Sequence, residues 1–393
     1  MQFVGCMMEN KLIIAAAGSG KTTRLVEEAF SRTENVLITT FTEENEAEIH
    51  DKFIAKYGYI PAHVTIQTWF SFLLQHGVRP YQGACNDILF DKQVNGILLV
   101  NQQSGLKYKF RRGKMEIPVY YREDTEFKLH YFTSDMKLYT DKLAKFVIRA
   151  NEKSNGSVID RISRIYPTIY IDEVQDLAGY DLEIVKELFH SNSTVVCVGD
   201  LRQVTYYTHS ERKNKPYRHG MIKQYVQNEC FASDHIVVDE TTLAKSHRNN
   251  KQICEFSSLI YPNFPQVLPC ECAGCHPVGI EHQGVFIVKE SELENYLMKY
   301  RPIQLRHNIR VRTNPRFSCY NFGKSKGKTF DRVVIYPTTD IKIWLTDRSA
   351  NMAERTRAAL YVAVTRARYS VAFVIPDNEL DQIHDIEAWS ENC

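Results

Sequence analysis

Residues 11–24, Lys-Leu-Ile-Ile-Ala-Ala-Ala-Gly-Ser-Gly-Lys-Thr-Thr-Arg, decide how the rest of this sequence is read. An apolar run suited to a buried strand meets a glycine turn and then the polar start of a helix. Ala15-Ala16-Ala17-Gly18-Ser19-Gly20-Lys21-Thr22 fits the phosphate-loop pattern G-x-x-x-x-G-K-[ST] except at its first position, where alanine replaces glycine. Gly18 and Gly20 let backbone N–H groups turn inward on a polyphosphate, and the following helix adds the positive end of its dipole. Lys21 supplies a point charge for the outer phosphates and Thr22 a hydroxyl for Mg²⁺; Ala17, Ser19 and Thr23 complete the expected nucleotide contacts. A small-residue turn after an apolar strand could look the same by chance, so the segments that follow have to decide.

They continue the same rhythm. Strands are expected over residues 12–16, 36–41 and 64–67, with helices over 22–31 and 43–55, the βαβ alternation of a parallel sheet covered by helices. The rhythm lapses over 76–163 and resumes with the strands 168–172 and 194–198. A second α/β unit starts near Thr241 and closes with the strand 332–336, a helix over 353–368 and the strand 370–375. The expected fold is therefore α/β, with two parallel-sheet domains. The first comprises 1–75 and 164–240 with 76–163 inserted; the second comprises 241–261 and 300–393, interrupted by a short cysteine-rich insertion at 262–299.

Composition sets wide bounds. At 393 residues, with 44% hydrophobic and 24% charged side chains, the chain has room for two or three cores. A net charge of +2 advertises no global polyanion field, so any nucleic-acid surface must be local. The segments 107–114, 212–218 and 306–316 are basic, and the first interleaves aromatics with cations; each alone is equally a solvated loop. No apolar run approaches the roughly 18 residues of a membrane span. The ten cysteines are scattered rather than framed as disulfides, which together with that absence suggests a cytoplasmic protein with no membrane partner.

Chemistry concentrates after the strands. Asp172, in Ile171-Asp172-Glu173-Val174-Gln175-Asp176, can hold the Mg²⁺ that Thr22 also touches, which leaves Glu173 to orient and deprotonate the attacking water. A solvated acidic turn is the alternative. Charge developing on a γ-phosphate needs cations, and Arg248 in Ser246-His-Arg-Asn249 and Arg366 in Val364-Thr-Arg-Ala-Arg368 are candidates. Cys270-Glu-Cys-Ala-Gly-Cys275-His276 offers three thiols and an imidazole, either a tetrahedral zinc site or a reduced cysteine-rich loop.

In order and content these segments resemble the UvrD/Rep/PcrA branch of superfamily 1 helicases. The resemblance runs through AAAGSGKTTR (15–24), ITTFTEENEAEI (38–49), TIQTWFSFL (65–73), YIDEVQDL (170–177), VGDLRQVTYY (198–207), LAKSHRNN (243–250), NFGKSKGKTFDRVVI (321–335) and LYVAVTRAR (360–368). It implies two RecA-like domains of the P-loop NTPase type with ATP and Mg²⁺ in their cleft, and ATP-driven 3′→5′ translocation or unwinding on single-stranded or tailed DNA. Lys21, Glu173, Gln203, Arg248 and Arg366 take the catalytic roles under this resemblance, Gln203 as the sensor of the γ-phosphate. His247 stands where the family stacks a tyrosine on adenine, opposite Arg24. Thr40, Phe41, Thr42, Thr68, Trp69, Tyr206, Lys324 and Ser325 fall in segments that line the single-strand track.

The departures are specific. The expected glutamine context is missing around Gln2, Thr329 replaces a glutamate, and Thr208 stands where the family places a base-stacking tryptophan. Only residues 249–325 lie between Arg248 and Lys326, where the family carries a large accessory domain. This compact layout is similar to the helicase-like subunits of Gabija-type anti-phage systems, which implies a nuclease partner of the OLD/TOPRIM type. A second reading follows: a DNA-dependent ATPase that senses DNA and activates that nuclease without processive unwinding.

Overall fold

Val36-Leu-Ile-Thr-Thr40 is five residues long and buried at every position, which marks a strand covered on both faces rather than an edge. It lies inside a six-stranded sheet of order Ile236–Asp239, Asn10–Ile14, Thr194–Gly199, Thr168–Asp172, Val36–Thr40, Val64–Thr68. The strand pairings within this sheet are parallel wherever the register is resolved. The computed structural model describes residues 9–205, 213–230 and 236–391 except 273 and 278. Tyr206, Tyr207, Thr208 and Gln2 lie outside the described residues.

The chain divides into two units. The first holds the residues up to Ile13, Thr22–Gly199 and the segment ending at Asp239; the second holds Ile14–Lys21, Asp200–Thr205 and everything from Glu240 onward. Each is a RecA-like α/β unit built on a parallel sheet. The second sheet runs Cys319–Asn321, Ile303–Arg306, Phe330–Tyr336, Ala367–Ile375, Gly284–Lys289, Glu387–Ala388, and its pairings are parallel throughout. Gly284–Lys289 falls within the stretch expected to be an insertion, 262–299. Its Phe286, Ile287 and Val288 are buried, so it pairs along its length with Ala367–Ile375.

Helix limits follow local chemistry. Thr42 accepts from Asn45 N at 3.2 Å and opens Glu43–Tyr57, which runs two residues past the expected end because Gly58 supplies a left-handed cap. The helix expected over 353–368 stops at Val364, since Thr365 turns the chain and residues from Ala367 join the sheet. In the stretch 76–163 the exposed hairpin Leu106–Arg112 with Met115–Tyr120 carries the basic-aromatic segment. The longer helices Thr140–Lys153 and Ser157–Ile165 come later in the same stretch. Their buried faces, Leu143, Ala144, Phe146 and Val147, then Val158, Ile159 and Ile162, repeat at helical spacing.

Candidate functional site

The alanines of the phosphate loop belong to a core. Ala17 is buried among Ile253, Phe256 and Leu360 of the second unit, and Ala16 packs on Cys254 and Val267. Backbone bonds fix the loop at Ala16 N to Leu243 O, 2.8 Å, and His247 N to Gly18 O, 2.8 Å. Gly18 has φ +69°, and a Cβ there would stand 2.5 Å from Arg248 Cβ, so both conformation and space demand glycine. Ser19 Oγ is buried without a hydrogen-bond partner, and Lys21 is 9% exposed at the start of the helix Lys21–Phe30.

Around the Thr365-Arg366 turn the same unit gathers three further candidates. Arg366, 2% exposed, donates from Nε to Val362 O at 3.1 Å, from Nη1 to Lys328 O at 3.3 Å, and from Nη2 to Gln203 Oε1 at 3.2 Å. Gln203 Nε2 donates to Asp200 Oδ2 at 2.9 Å. Tyr361 also donates to Asp200 Oδ2, at 3.2 Å; burial first, and then the Asp200 carboxylate, push its phenol pKa upward. Arg248 Nη1 and Asn249 Nδ2 both donate to Thr365 O at 3.2 Å. Asn250 caps the helix Lys251–Ile260 through Ile253 N at 3.0 Å and donates to Tyr369 O, which anchors the Ser246–Asn250 segment at its far end.

The carboxylates belong to the first unit. Asp172 ends its strand 4% exposed; Oδ2 accepts from Thr22 Oγ1 at 3.4 Å and Oδ1 from Glu173 N at 2.9 Å. Glu173 has φ +55°, ψ +39°, a left-handed conformation that costs a non-glycine residue about 1–3 kcal/mol. Gln175 Nε2 donates to Glu173 Oε2, and a Cβ on Gly199 would sit 2.1 Å from Gln175 Oε1. Gly199 thus makes room for the amide that steadies the glutamate.

Of the residues expected on the single-strand track, Thr40 stands opposite Thr68 on paired strands of the first unit, and Lys324 and Ser325 belong to the second. Phe41 is half-buried and meets Phe70 edge-on at 5.5 Å between ring centroids. Phe70 was not singled out from sequence; its signal was an aromatic at strand-end spacing beside Trp69. Trp69 is 1% exposed and donates Nε1–H to Asp181 Oδ1 at 2.7 Å. Its ring is part of the core of the first unit. Thr68 caps the following turn through Ser71 N, Thr42 caps a helix as above, and Thr40 Oγ1 is buried without a partner. Lys324 is exposed, while Ser325 is buried and donates to Phe322 O at 2.7 Å. Arg24 bonds Glu28 one turn on, at 2.6 Å.

The thiols select a different histidine. Cys270, Cys272, Cys275 and His247 place their ligand atoms within 4.8 Å of one another. His276, expected as the fourth ligand, reaches Cys270 Sγ with Nε2 at 3.6 Å but is not part of that group. Among the described residues no helix is long and apolar enough to cross a membrane.

Residues 92–210 match the family model of the UvrD/REP helicase N-terminal domain, and the resemblance to superfamily 1 helicases read from the motifs is supported by that match. The matched stretch includes the Asp172-Glu173 turn and Gln203 but not the phosphate loop. No curated protein matches the sequence. Similar solved structures include the Arterivirus nonstructural protein 10 helicase, at 14% identity and TM-score 0.43 over 95% of this chain and 62% of that one. The same Arterivirus protein in complex with DNA matches at 13% and 0.42 over 95% and 63%, and the PRRSV helicase at 15% and 0.42 over 97% and 55%. The chain spans roughly 60% of the length of these structures.

Proposed function

We propose that this chain hydrolyses ATP to translocate along or unwind DNA, as an enzyme of the UvrD/Rep type, with 3′→5′ polarity carried by that resemblance alone. One observation carries the reading: Glu173 is held in a strained left-handed backbone between the Asp172 carboxylate and the Gln175 amide, next to the Thr22–Asp172 pair. Strain of that kind persists where surrounding structure over-determines it, and it clusters at catalytic positions.

The residues fit a nucleotide. Ser19 Oγ is an orphaned buried hydroxyl inside the loop, and Gly18 and Gly20 hold φ +69° and +83°, left-handed conformations of the kind that let a phosphate loop turn N–H groups toward an anion. Thr22 and Asp172 would hold Mg²⁺, which would supply positive charge against the phosphates; Lys21 would meet the outer phosphates, and Glu173 would take the proton of the attacking water. Gln203 registers the terminal phosphate through its amide, and Arg248 and Arg366 stabilise the charge that builds there. Because Arg366 Nη2 donates to Gln203 Oε1, a change at either residue alters the setting of the other.

ATPase measured with and without single-stranded DNA, beside strand displacement on tailed duplexes, tests this. Displacement coupled to stimulated turnover is the expected result; stimulated turnover with no displacement transfers the assignment to a DNA sensor that activates a partner nuclease, as in anti-phage defence. The burial of Trp69 favours that second reading, since it leaves Phe41 and Phe70 as the aromatics near the strand ends.

A further inference from the structure

The sequence joins the cysteine-rich loop to the phosphate loop through a very short piece of sheet. Lys245–Ser246 pairs in parallel with Leu268–Pro269, and Cys270 N donates to Ser246 O at 2.8 Å. That register puts residue 247 beside Cys270. On its other side, His247 N donates to Gly18 O, and a Cβ on Gly20 would lie 3.9 Å from His247 Cδ2. The imidazole therefore has the phosphate loop along one edge and thiols along the other. Nδ1 is 3.5 Å from Cys275 Sγ and 3.7 Å from Cys272 Sγ.

Those separations have a chemical meaning. A tetrahedral zinc with Zn–S near 2.3 Å and Zn–N near 2.0 Å has N···S edges of about 3.5 Å. Hydrogen-bonding thiols need no such convergence of three sulfurs and one nitrogen. We propose that Cys270, Cys272, Cys275 and the Nδ1 of His247 bind one Zn²⁺, and that this ion clamps the Ser246-His247-Arg248 segment against the phosphate loop. Binding displaces the three thiol protons and forms three Zn–S bonds and one Zn–N bond. His276, with Nε2 3.6 Å from Cys270 Sγ, is a positioning residue that donates to the zinc-bound sulfur rather than a ligand. The link to hydrolysis rests on the nucleotide reading above, because Arg248 follows the liganded histidine; the metal site does not depend on it.

The test measures the metal first. Protein purified without added metal should carry about one zinc per chain, and cobalt substitution should give the thiolate-to-cobalt charge-transfer band and tetrahedral d–d bands of an S₃N site. His247→Ala should weaken zinc binding by more than about 100-fold, whereas His276→Ala should lose no more than the roughly 10–100-fold typical of an outer partner. Absence of zinc after reconstitution, or a larger loss in His276→Ala than in His247→Ala, overturns the ligand set. The cobalt spectrum of the unaltered chain gives the donor set even where a variant does not fold. With the site confirmed, stripping zinc from the unaltered chain should lower kcat for ATP at least 10-fold; an unchanged kcat overturns the clamp while leaving both the metal site and the nucleotide reading standing.

Discussion

The phosphate loop and the turn at Thr68-Trp69 are alike in sequence: each follows a parallel strand and each opens a helical segment. Their chemistry is fixed at different levels. In the loop the work is done by backbone groups, and the glycines admit the positive φ that aims them. At Trp69 the work was assigned to a side chain, and a side chain goes where its partners are; Asp181, more than a hundred residues on, takes the indole N–H and draws the ring inside. Motifs that act through the backbone carry their meaning locally, while those that act through side chains defer to the fold.

The sharpest way to test that contrast is the group that unites both levels. Glu173→Gln keeps the left-handed turn and removes only the base, so kcat should fall by about 10²–10⁴ while ATP binding survives. Retention of more than about a tenth of kcat shows that the turn serves structure alone. Next in size is Gly199→Ala. Its new Cβ would meet Gln175 Oε1 at 2.1 Å and displace the amide that holds Glu173. A displacement of the base by about 1 Å should lower kcat by up to about 10²-fold with little change in KM; equal losses in folding stability and kcat would instead make Gly199 a packing residue.

Trp69→Phe and Phe41→Ala form a smaller, opposed pair. The first strips the Asp181 carboxylate of a buried donor and should cost about 1–3 kcal/mol of stability in chemical denaturation, with single-strand affinity unchanged. The second should cost about 1–3 kcal/mol in single-strand binding and little stability. Exchange of the two outcomes would return Trp69 to the track. Smallest is the hairpin. Lys107 pairs with Glu126, and Lys109 and Arg111 with Glu116, so their charges are partly answered by nearby carboxylates, while Arg112 and Lys114 form no ion pair among the described residues. Replacing Arg112 and Lys114 by Ala should flatten the salt dependence of duplex binding by up to about 1.8 in slope; an unaltered slope makes the hairpin a solvated ribbon.

The same division explains what could be read from the chain. Val36–Thr40 and Thr168–Asp172 declare themselves as buried parallel strands because every residue in them is apolar, β-branched or at a strand end. The helix Thr140–Lys153 was missed although its apolar spacing is helical, since Lys142, Lys145 and Arg149 interrupt the run; Lys142 is nevertheless 2% exposed and donates to Ser104 O and His130 O. His247 could not be read as a thiol partner. Its nearness to Cys272 and Cys275 arises from the register of Lys245–Ser246 on Leu268–Pro269, two residues on each strand, too short to leave a pattern.

One feature of the loop bears on how the protein is made. Gly18 finds its backbone partner at His247, and Ala16 finds its own at Leu243, about 230 residues further along the chain. At roughly 5–20 residues per second, a ribosome that has finished the loop works for about 10–50 s before those partners emerge. Through that interval the glycines have no partner segment to set them, and Ala16 and Ala17 stand without the helix that later covers them. The signature easiest to recognise in the sequence is thus among the last parts of the molecule to acquire its shape during synthesis.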